Sequence, residues 1–440
     1  MSEDRRRRVC LVTTGQPSTN PRLVKEADAL TATGYEVAVV GAFGGDWAID
    51  ADRSLLPSKP WPFDLIDWRR ERQPALFWKS RIRQRVLRPM SAWPGAPIGW
   101  VEGAVTRPGP ELARGATRHP ADLYIAHNLG ALPAAARAAR AHGARLGFDA
   151  EDYHAGQFAD EGADEAMKAA VLRLERHYVP ACDSITAAAP GIAEAYRSFS
   201  RCGLPPCVLN VGSLTERPSA SPPPTSRTGP LTLYWFSQTI GPDRGLEDVV
   251  RAMGQMRDAP IELHLRGNWA SGYESRLRDV AREAGARAES IDAQPPAPPA
   301  DMVRLAARHD VGLALEPGAT ANNRIAVSNK AFTYLLAGVA VIATKTPGQQ
   351  WLMDQMPDAG WVYRPGDVPA LVALLRSCLE DRSRVAAARA AAWEYGTTRF
   401  NWEIEATAFL NVVAGVFAGA SRRQPAVGGR QVSAATGTHA

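Results

Sequence analysis

The side chains best placed for chemistry in this 440-residue chain lie between Leu315 and Gln349. Glu316 follows Val311 to Leu315, an apolar run suited to a buried strand, and Ser328, Asn329 and Lys330 open the amphipathic helix that comes next. Ser328 is the expected N-cap of that helix and Gly338 its stop, with Ala331, Tyr334 and Leu335 on one face. Ala340 to Ala343 reads as the following strand. In parallel α/β sheets, ligands sit outside the carboxyl ends of strands, and the free N–H groups of a helix N-terminus attract anions. A carboxylate in that place can hold sugar or ribose hydroxyls while the backbone and a lysine take phosphate oxygens. The combination suits a nucleotide diphosphate better than a bare anion. An ordinary strand-helix-strand unit with a solvated loop has the same spacing.

Further polar groups gather after other apparent strand ends. Asp122 to Ala126 delivers His127 and Asn128, and Leu146 to Phe148 runs into Asp149, Glu151, Asp152 and His154, so both mark one rim of a sheet. A lone histidine is more often structural than functional, which leaves both readings open for His127 and His154. Asn20 and Pro21 begin a helix whose first turns carry Arg22 and Lys25, two cations that either face a phosphate or acceptor or are simply solvated. Leu231 to Phe236 precedes a loop with Gln238 and Arg244, and Ile261 to Leu265 ends in Arg266, Gly267 and Asn268, where a nucleotide could be backed.

The elements that must position these groups alternate strand and helix twice over. The first series runs from Val9–Val12 to Val208–Val211, and a second begins at Leu231 after a Pro-, Ser- and Thr-rich stretch. This predicts an α/β protein of two Rossmann-like domains. No Gly-x-Gly-x-x-Gly follows the first strand, which removes the best argument for a dinucleotide oxidoreductase.

The run from Ser328 to Gly338 resembles the donor-binding signature of GT-B glycosyltransferases, specifically the family 4-like retaining enzymes. In those a Glu opens the loop, a second Glu lies on the helix, and a Gly precedes the next strand. Glu316 and Gly338 match, whereas Thr333 stands in the place of the second Glu. Family members also carry two pyrophosphate-binding cations after the first strand of the second domain; here Gln238 holds the Arg position and Arg244 the Lys position. Ser18 to Arg22 with Lys25-Glu26-Ala27 resembles the loop that borders the interdomain cleft.

The resemblance implies two domains facing across a cleft. An acceptor domain would span 1–215 with a Trp- and Arg-rich insertion at 57–110, followed by a linker at 216–230 and a donor domain at 231–395. A helix at 396–420 would return to the first domain, and a tail at 421–440 would be disordered. The implied activity is transfer of a hexose, with retention, from a nucleotide diphosphate sugar to a glycan or lipid-linked acceptor in polysaccharide biosynthesis. It would need no metal and no cofactor beyond the donor substrate. Arg244 and Lys330 would stabilise the leaving diphosphate, His127 would position the sugar, and Glu316 would hold sugar or ribose hydroxyls. Gln238, Arg266, Gly267, Ser328, Asn329 and Thr333 would complete the donor site, and Asn20, Arg22, Asn128, Glu151 and His154 would face the acceptor. A nucleotide-sugar epimerase of the same fold, or a non-catalytic sugar-nucleotide-binding or scaffold protein, remains an alternative.

Composition narrows the classes. A net charge of +5 is too small to argue for nucleic acid, and five scattered cysteines without Cys-x-x-Cys fit a reducing cytoplasm better than a disulfide or zinc framework. Arg5 to Arg8 precede an apolar run too short for a secretory signal, and no segment approaches a spanning helix, so any membrane contact is expected to be peripheral, at the inner face. The 57–110 stretch mixes Trp61, Trp68, Trp78, Trp93 and Trp100 with many arginines. That mixture suits an interfacial segment or a lipid-phosphate acceptor site, a variable insertion, or, less well, a single-stranded nucleic-acid grip. Asp50-Ala51-Asp52 has the form of a metal-binding Asp-x-Asp but sits in the wrong half, so both are read as solvated carboxylates.

Overall fold

The computed structural model describes residues 6–44, 48–159, 164–201, 203–220 and 229–420. The 421–440 tail, positions 221–228 of the linker and Cys202 lie outside the described residues.

Two six-stranded sheets form the framework. The first contains β1 (Arg8–Thr13), β2 (Glu36–Phe43), β3 (Phe63–Asp67), β4 (Leu123–His127), β5 (Arg145–Ala150) and β6 (Ser184–Ala187), in the order β3-β2-β1-β4-β5-β6. The second contains β7 (Leu231–Ile240), β8 (Ile261–Trp269), β9 (Ile291–Gln294), β10 (Val311–Ala314), β11 (Ala340–Thr344) and β12 (Gly360–Tyr363), in the order β12-β11-β10-β7-β8-β9. Every pairing is parallel. Parallel strands with helices on both faces must be apolar on both sides. Val9 to Val12 and the whole of β10 and β11 meet that demand, all buried. The α/β class and the two Rossmann-like halves are therefore as expected from the alternation of elements.

Strand order reverses between β1 and β4 and again between β7 and β10, which opens a crevice at the carboxyl ends of both sheets. The register of the first sheet then sets a row of side chains. Thr13 pairs with His127, His127 with Asp149, and Asp149 with Thr186, so four adjacent strands end on one polar line.

Two boundaries differ from the sequence reading. β7 continues past Phe236 to Ile240 across an irregularity in its pairing with β8, so Gln238 lies on a strand extension instead of a loop. β8 likewise runs through Arg266, Gly267 and Asn268. The 57–110 stretch is also less separate than its composition suggests. It supplies β3, paired with β2 from Val39–Phe63 to Phe43–Asp67, and the buried Trp61 donates its indole N–H to Asp28 at 2.8 Å. After β3 come helices Pro74–Met90 and Ile98–Val105.

The last helix, Trp402–Ala420, packs against the first half of the chain. Phe417 stacks on Tyr35 at 5.8 Å, Leu209 N–H donates to the Glu405 carboxylate at 2.8 Å, and Trp402 N–H donates to the Gly212 carbonyl at 2.8 Å. A second tie lies beside the crevice. Asn322 accepts from Tyr153 N–H at 2.8 Å and donates to Asp152 Oδ1 at 2.8 Å.

Candidate functional site

The carboxyl ends of β7, β10 and β11 bring two cations, a carboxylate and a helix N-terminus together. Glu316 lies two residues beyond β10, and Thr344 at the end of β11 pins its backbone: Glu316 N–H donates to Thr344 Oγ1 at 2.7 Å, and that hydroxyl donates back to the Glu316 carbonyl at 2.8 Å. Lys330, on the first turn of helix Asn329–Ala337, reaches back so that its Nζ lies 3.6 Å from Glu316 Oε1 and 5.4 Å from the centre of the Trp235 ring. Its pKa is pushed down, first by burial and then by the nearby Arg244 guanidinium, against the opposing pull of Glu316. Arg244 itself is half-buried and makes no hydrogen bond or ion pair among the described residues. Gly245 takes a left-handed φ of 72° at the turn into helix Leu246–Gln255, and Asp243 has φ 58°.

The helix N-terminus is positioned but not capped. Gln349 accepts from Ser328 N–H at 2.9 Å and donates to the Ala314 carbonyl at 2.8 Å, which fixes Ser328 against the end of β10. The Ser328 hydroxyl forms no capping bond and is a buried polar atom with no partner. Uncapped N–H groups, an unpaired hydroxyl and two cations make a concentrated anion site. Gly338 ends the helix in the left-handed conformation, φ 64°.

The polar row of the first sheet is a different kind of structure. Arg22 is fully buried and grips Asp149 with two donors at 2.5 and 2.7 Å, while its third nitrogen bonds the Val208 carbonyl. Glu26, one helical turn on, lies 3.3 Å from Arg22 and 3.2 Å from His127 Nε2. His127 Nδ1 lies 3.4 Å from both Asp149 and Glu151, and Thr186 donates to Asp149 at 2.6 Å. Burial alone would lower the His127 pKa, but Glu26, Glu151 and Asp149 outweigh it and push it up to about 10. Ligand atoms of Glu26, His127 and Asp149 lie within 4.8 Å of one another, and Arg22 together with the protonated His127 already supplies the positive charge those two carboxylates need. The group is an internal ion cluster. Only its outer member, Glu151, reaches solvent, at 25% side-chain exposure, and there it accepts a 2.6 Å bond from Asn20 Nδ2.

No protein-family model matches the chain, and no curated protein matches it. Solved structures do. HepE of Anabaena, in complex with UDP and glucose, aligns with 93% of this chain and 100% of its own at 16% identity and a TM-score of 0.65. Sucrose-phosphate synthase from Thermosynechococcus elongatus aligns with 94% of this chain and 100% of its own, at 14% identity and a TM-score of 0.65. The apo form of the lipopolysaccharide outer core galactosyltransferase WaaB aligns over 93% and 99%, at 12% identity and a TM-score of 0.59. The chain has the GT-B fold. At such identities the likeness carries the architecture, and the chemistry rests on the residues themselves.

Within this GT-B framework the sequence-selected residues separate into those that line the crevice and those that do not. Glu316, Ser328, Lys330 and Arg244 converge. Asn329 is exposed at the helix start, and Thr333 turns its hydroxyl back onto the Asn329 carbonyl at 3.4 Å. Gln238 is exposed on the β7 extension. Arg266 is committed to the Pro295 carbonyl at 2.7 Å, and Gly267 lets β8 pass β7, since a Cβ there would lie 2.4 Å from the Ser237 carbonyl oxygen.

On the other side Arg22 and His127 do not open on the cleft at all. Lys25 is also withdrawn, its ammonium bonded to the Val211 carbonyl and to Asn210 at 3.3 Å, and burial pulls its pKa down to about 8 against Glu216. His154 is structural: Nε2 accepts from Leu129 N–H at 3.1 Å, so Nδ1 carries the proton and donates to Tyr196 Oη at 3.1 Å. Asn128 and Glu151 remain half-buried on the rim, and Asn20 is buried behind them, its Nδ2 on Glu151 and its Oδ1 accepting from Leu23 N–H at 3.0 Å. Asn128 holds φ 65° and ψ 157°, with its side chain accepting from Thr14 at 3.0 Å. Asp50 is solvated as expected, but Asp52 is buried, accepting from Gln16 Nε2 at 2.6 Å and Ser18 N–H at 3.0 Å. It anchors the loop after β1. Glu26 and Asp149 were missed as partners of Arg22, although a carboxylate four residues after an arginine on a helix is a readable signal.

Proposed function

We propose that the protein transfers a sugar, of hexose type, from a nucleotide diphosphate sugar to a glycan or lipid-linked acceptor, with retention and without a metal ion. The observation that carries this reading is the set of Arg244, Lys330 and the unpartnered Ser328 hydroxyl around an uncapped helix N-terminus, beside Glu316. Arg244 and Lys330 against the single Glu316 carboxylate leave one net positive charge and free donors in a half-buried crevice, which match the diphosphate, and Glu316 matches hydroxyls of the sugar or ribose. As the bond from the anomeric carbon to the leaving oxygen breaks, negative charge grows on the diphosphate, and preorganised cations stabilise it most at that moment. That HepE has been solved with UDP-glucose in the same fold supports a uridine or similar donor here. On the acceptor side, Glu151 and Asn128 form the contact rim, and Asn20 and His127 act through Glu151 by holding its carboxylate.

Thermal unfolding of the purified chain with UDP, GDP, ADP and dTDP and their sugars tests the donor site, because a ligand of the folded state at a hundred times its Kd adds about 2.7 kcal/mol of stability. One nucleotide family raises the Tm of the parent and not of Arg244→Ala. Product analysis with and without acceptor separates transfer from epimerisation. No shift with any nucleotide, or full turnover in Arg244→Ala or Lys330→Ala, sinks the assignment. A non-catalytic sugar-nucleotide-binding protein is the second reading, favoured by Thr333 in the place of a second carboxylate. A Thr333→Glu variant that binds the donor yet turns over nothing would support it.

A further inference from the structure

The helix Pro74–Met90 presents a face that the other described residues leave uncovered. Trp78, Ile82 and Val86 recur at four-residue spacing on its outer side and are 46%, 60% and 51% exposed; Trp93, just beyond its end, is 62% exposed. The opposite side faces the protein: Leu87 lies against Gly103 of helix Ile98–Val105, Gln84 donates to the Ala104 carbonyl at 3.0 Å, and Ser80 is fully buried. Large apolar side chains in a row on a surface helix need a reason, since isolated ones are ordinary but contiguous ones mark an interface.

Charge identifies the partner. Between Arg69 and Trp93 there are eight cationic side chains and one carboxylate, Glu71. At 100° per residue, Arg81 and Arg85 flank one side of the Trp78-Ile82-Val86 stripe and Lys79 the other. All three are exposed and form no ion pair among the described residues. Arg83 and Arg88, by contrast, are spent on Glu111 and Asp164. An apolar stripe between free cations, with tryptophan at the boundary, matches a layer that is hydrocarbon in depth and negative at its surface. It fits a second protein copy poorly, because the same cations would face each other across a twofold contact. The helix starts beyond the carboxyl end of β3, on the edge of the sheet that carries the Glu151 rim. No helix among the described residues is long and apolar enough to cross a membrane, so contact is by lying on it.

We propose that helix Pro74–Met90 with Trp93 docks flat on an anionic lipid surface and holds the acceptor rim against it. This deepens, and rests on, the lipid-linked reading of the acceptor. The test is co-sedimentation of the full chain with vesicles of phosphatidylcholine alone or with about 30% phosphatidylglycerol, with nucleotide thermal shifts measured on the same preparations. The parent binds the anionic vesicles. Each neutralised cation weakens binding about fivefold, so Lys79→Gln with Arg81→Gln and Arg85→Gln loses about a hundredfold. A Trp78→Ser, Ile82→Ser, Val86→Ser variant loses at least about tenfold, since each fully lifted side chain forfeits its apolar transfer. No binding by the parent, or binding that survives both triple variants, overturns the proposal. So does a parent dimer that the serine variant converts to monomer without any vesicle binding. If vesicles fail while the nucleotide shift persists, the surface alone is wrong; if vesicles bind and no nucleotide shifts the Tm, the surface stands and the transferase reading falls.

Discussion

Arg22→Met removes the one guanidinium that neutralises the sealed cluster of the first sheet. Three charge-assisted hydrogen bonds disappear, two to Asp149 and one to Val208. At roughly 1.5–3 kcal/mol each they would sum to more than the cluster can lose, because an abandoned carboxylate has a cheaper escape. It can take a proton, and at pH 7 protonating an ordinary aspartate costs about 1.4 kcal/mol for each of roughly three pH units, or about 4 kcal/mol. Glu26 keeps His127 as a partner, so one carboxylate carries the deficit. The expected loss is therefore about 3–4 kcal/mol, within the range for breaking a buried pair. Urea unfolding followed by tryptophan fluorescence should show the midpoint falling by roughly 1–2 M, taking m near 2–3 kcal/mol per M for a half-chain unit. The proton argument adds a signature: the deficit of Arg22→Met should shrink by about 1.4 kcal/mol per pH unit as pH falls from 7 toward 5. Nucleotide binding at the Arg244 and Lys330 crevice should survive. A loss under about 1 kcal/mol, or one that does not shrink on acidification, would show that Asp149 is not the carboxylate held by Arg22.

The raised His127 pKa gives stability that is fully present below its unfolded pKa of about 6.5 and is lost as pH rises through about 10. Urea titrations across that window should show the parent losing about 1.4 kcal/mol per unit relative to His127→Gln, and parallel curves would refute it. Gly267→Ala places a methyl 2.4 Å from the Ser237 carbonyl, a backbone atom that cannot swing aside, so a loss of about 2–3 kcal/mol is expected in thermal unfolding. Asp52→Ala frees Gln16 and Ser18 from a buried acceptor; a cost of about 1–3 kcal/mol should appear, with faster hydrogen exchange at Ser18 as the local readout. Lys330→Ala should weaken nucleotide diphosphate binding at least about tenfold in calorimetry while leaving nucleoside binding little changed, since a charged hydrogen bond to phosphate contributes about 1.5–3 kcal/mol.

Much of the framework was legible because periodicity reports burial on both faces of a parallel strand. Val9–Val12, Val311–Leu315 and Ala340–Ala343 could hardly be anything but central strands, and Ser328 and Gly338 bracket their helix by local backbone chemistry. Strand ends were harder. The extension of β7 through Gln238 and of β8 through Asn268 depends on a pairing irregularity and on Gly267 yielding space, neither of which leaves a pattern in a single chain. β3 was hidden inside the Trp- and Arg-rich stretch because an edge strand has no continuous apolar run.

The larger difficulty was telling which charges are spent. Sequence places Arg22, Lys25, His127 and Lys330 alike near strand ends or helix starts, and nothing in their spacing separates them. Their fates follow from parallel register: Thr13, His127, Asp149 and Thr186 fall in one row beside the Arg22 helix, so Arg22 meets the desolvated Asp149 carboxylate there, while Lys25 is spent on Asn210 and the Val211 carbonyl. The second sheet has no such row. Val311, Gly312, Leu313 and Ala314 are succeeded by Leu315, and Glu316 is the first charge, with Lys330 3.6 Å away and Arg244 without a partner among the described residues. One sheet therefore uses its polar line to hold itself and its rim in place, while the other leaves positive charge over. An excess of charge in a half-buried crevice is what a ligand can neutralise, which is why the second crevice, with more free donors than acceptors, is the one we propose for the donor.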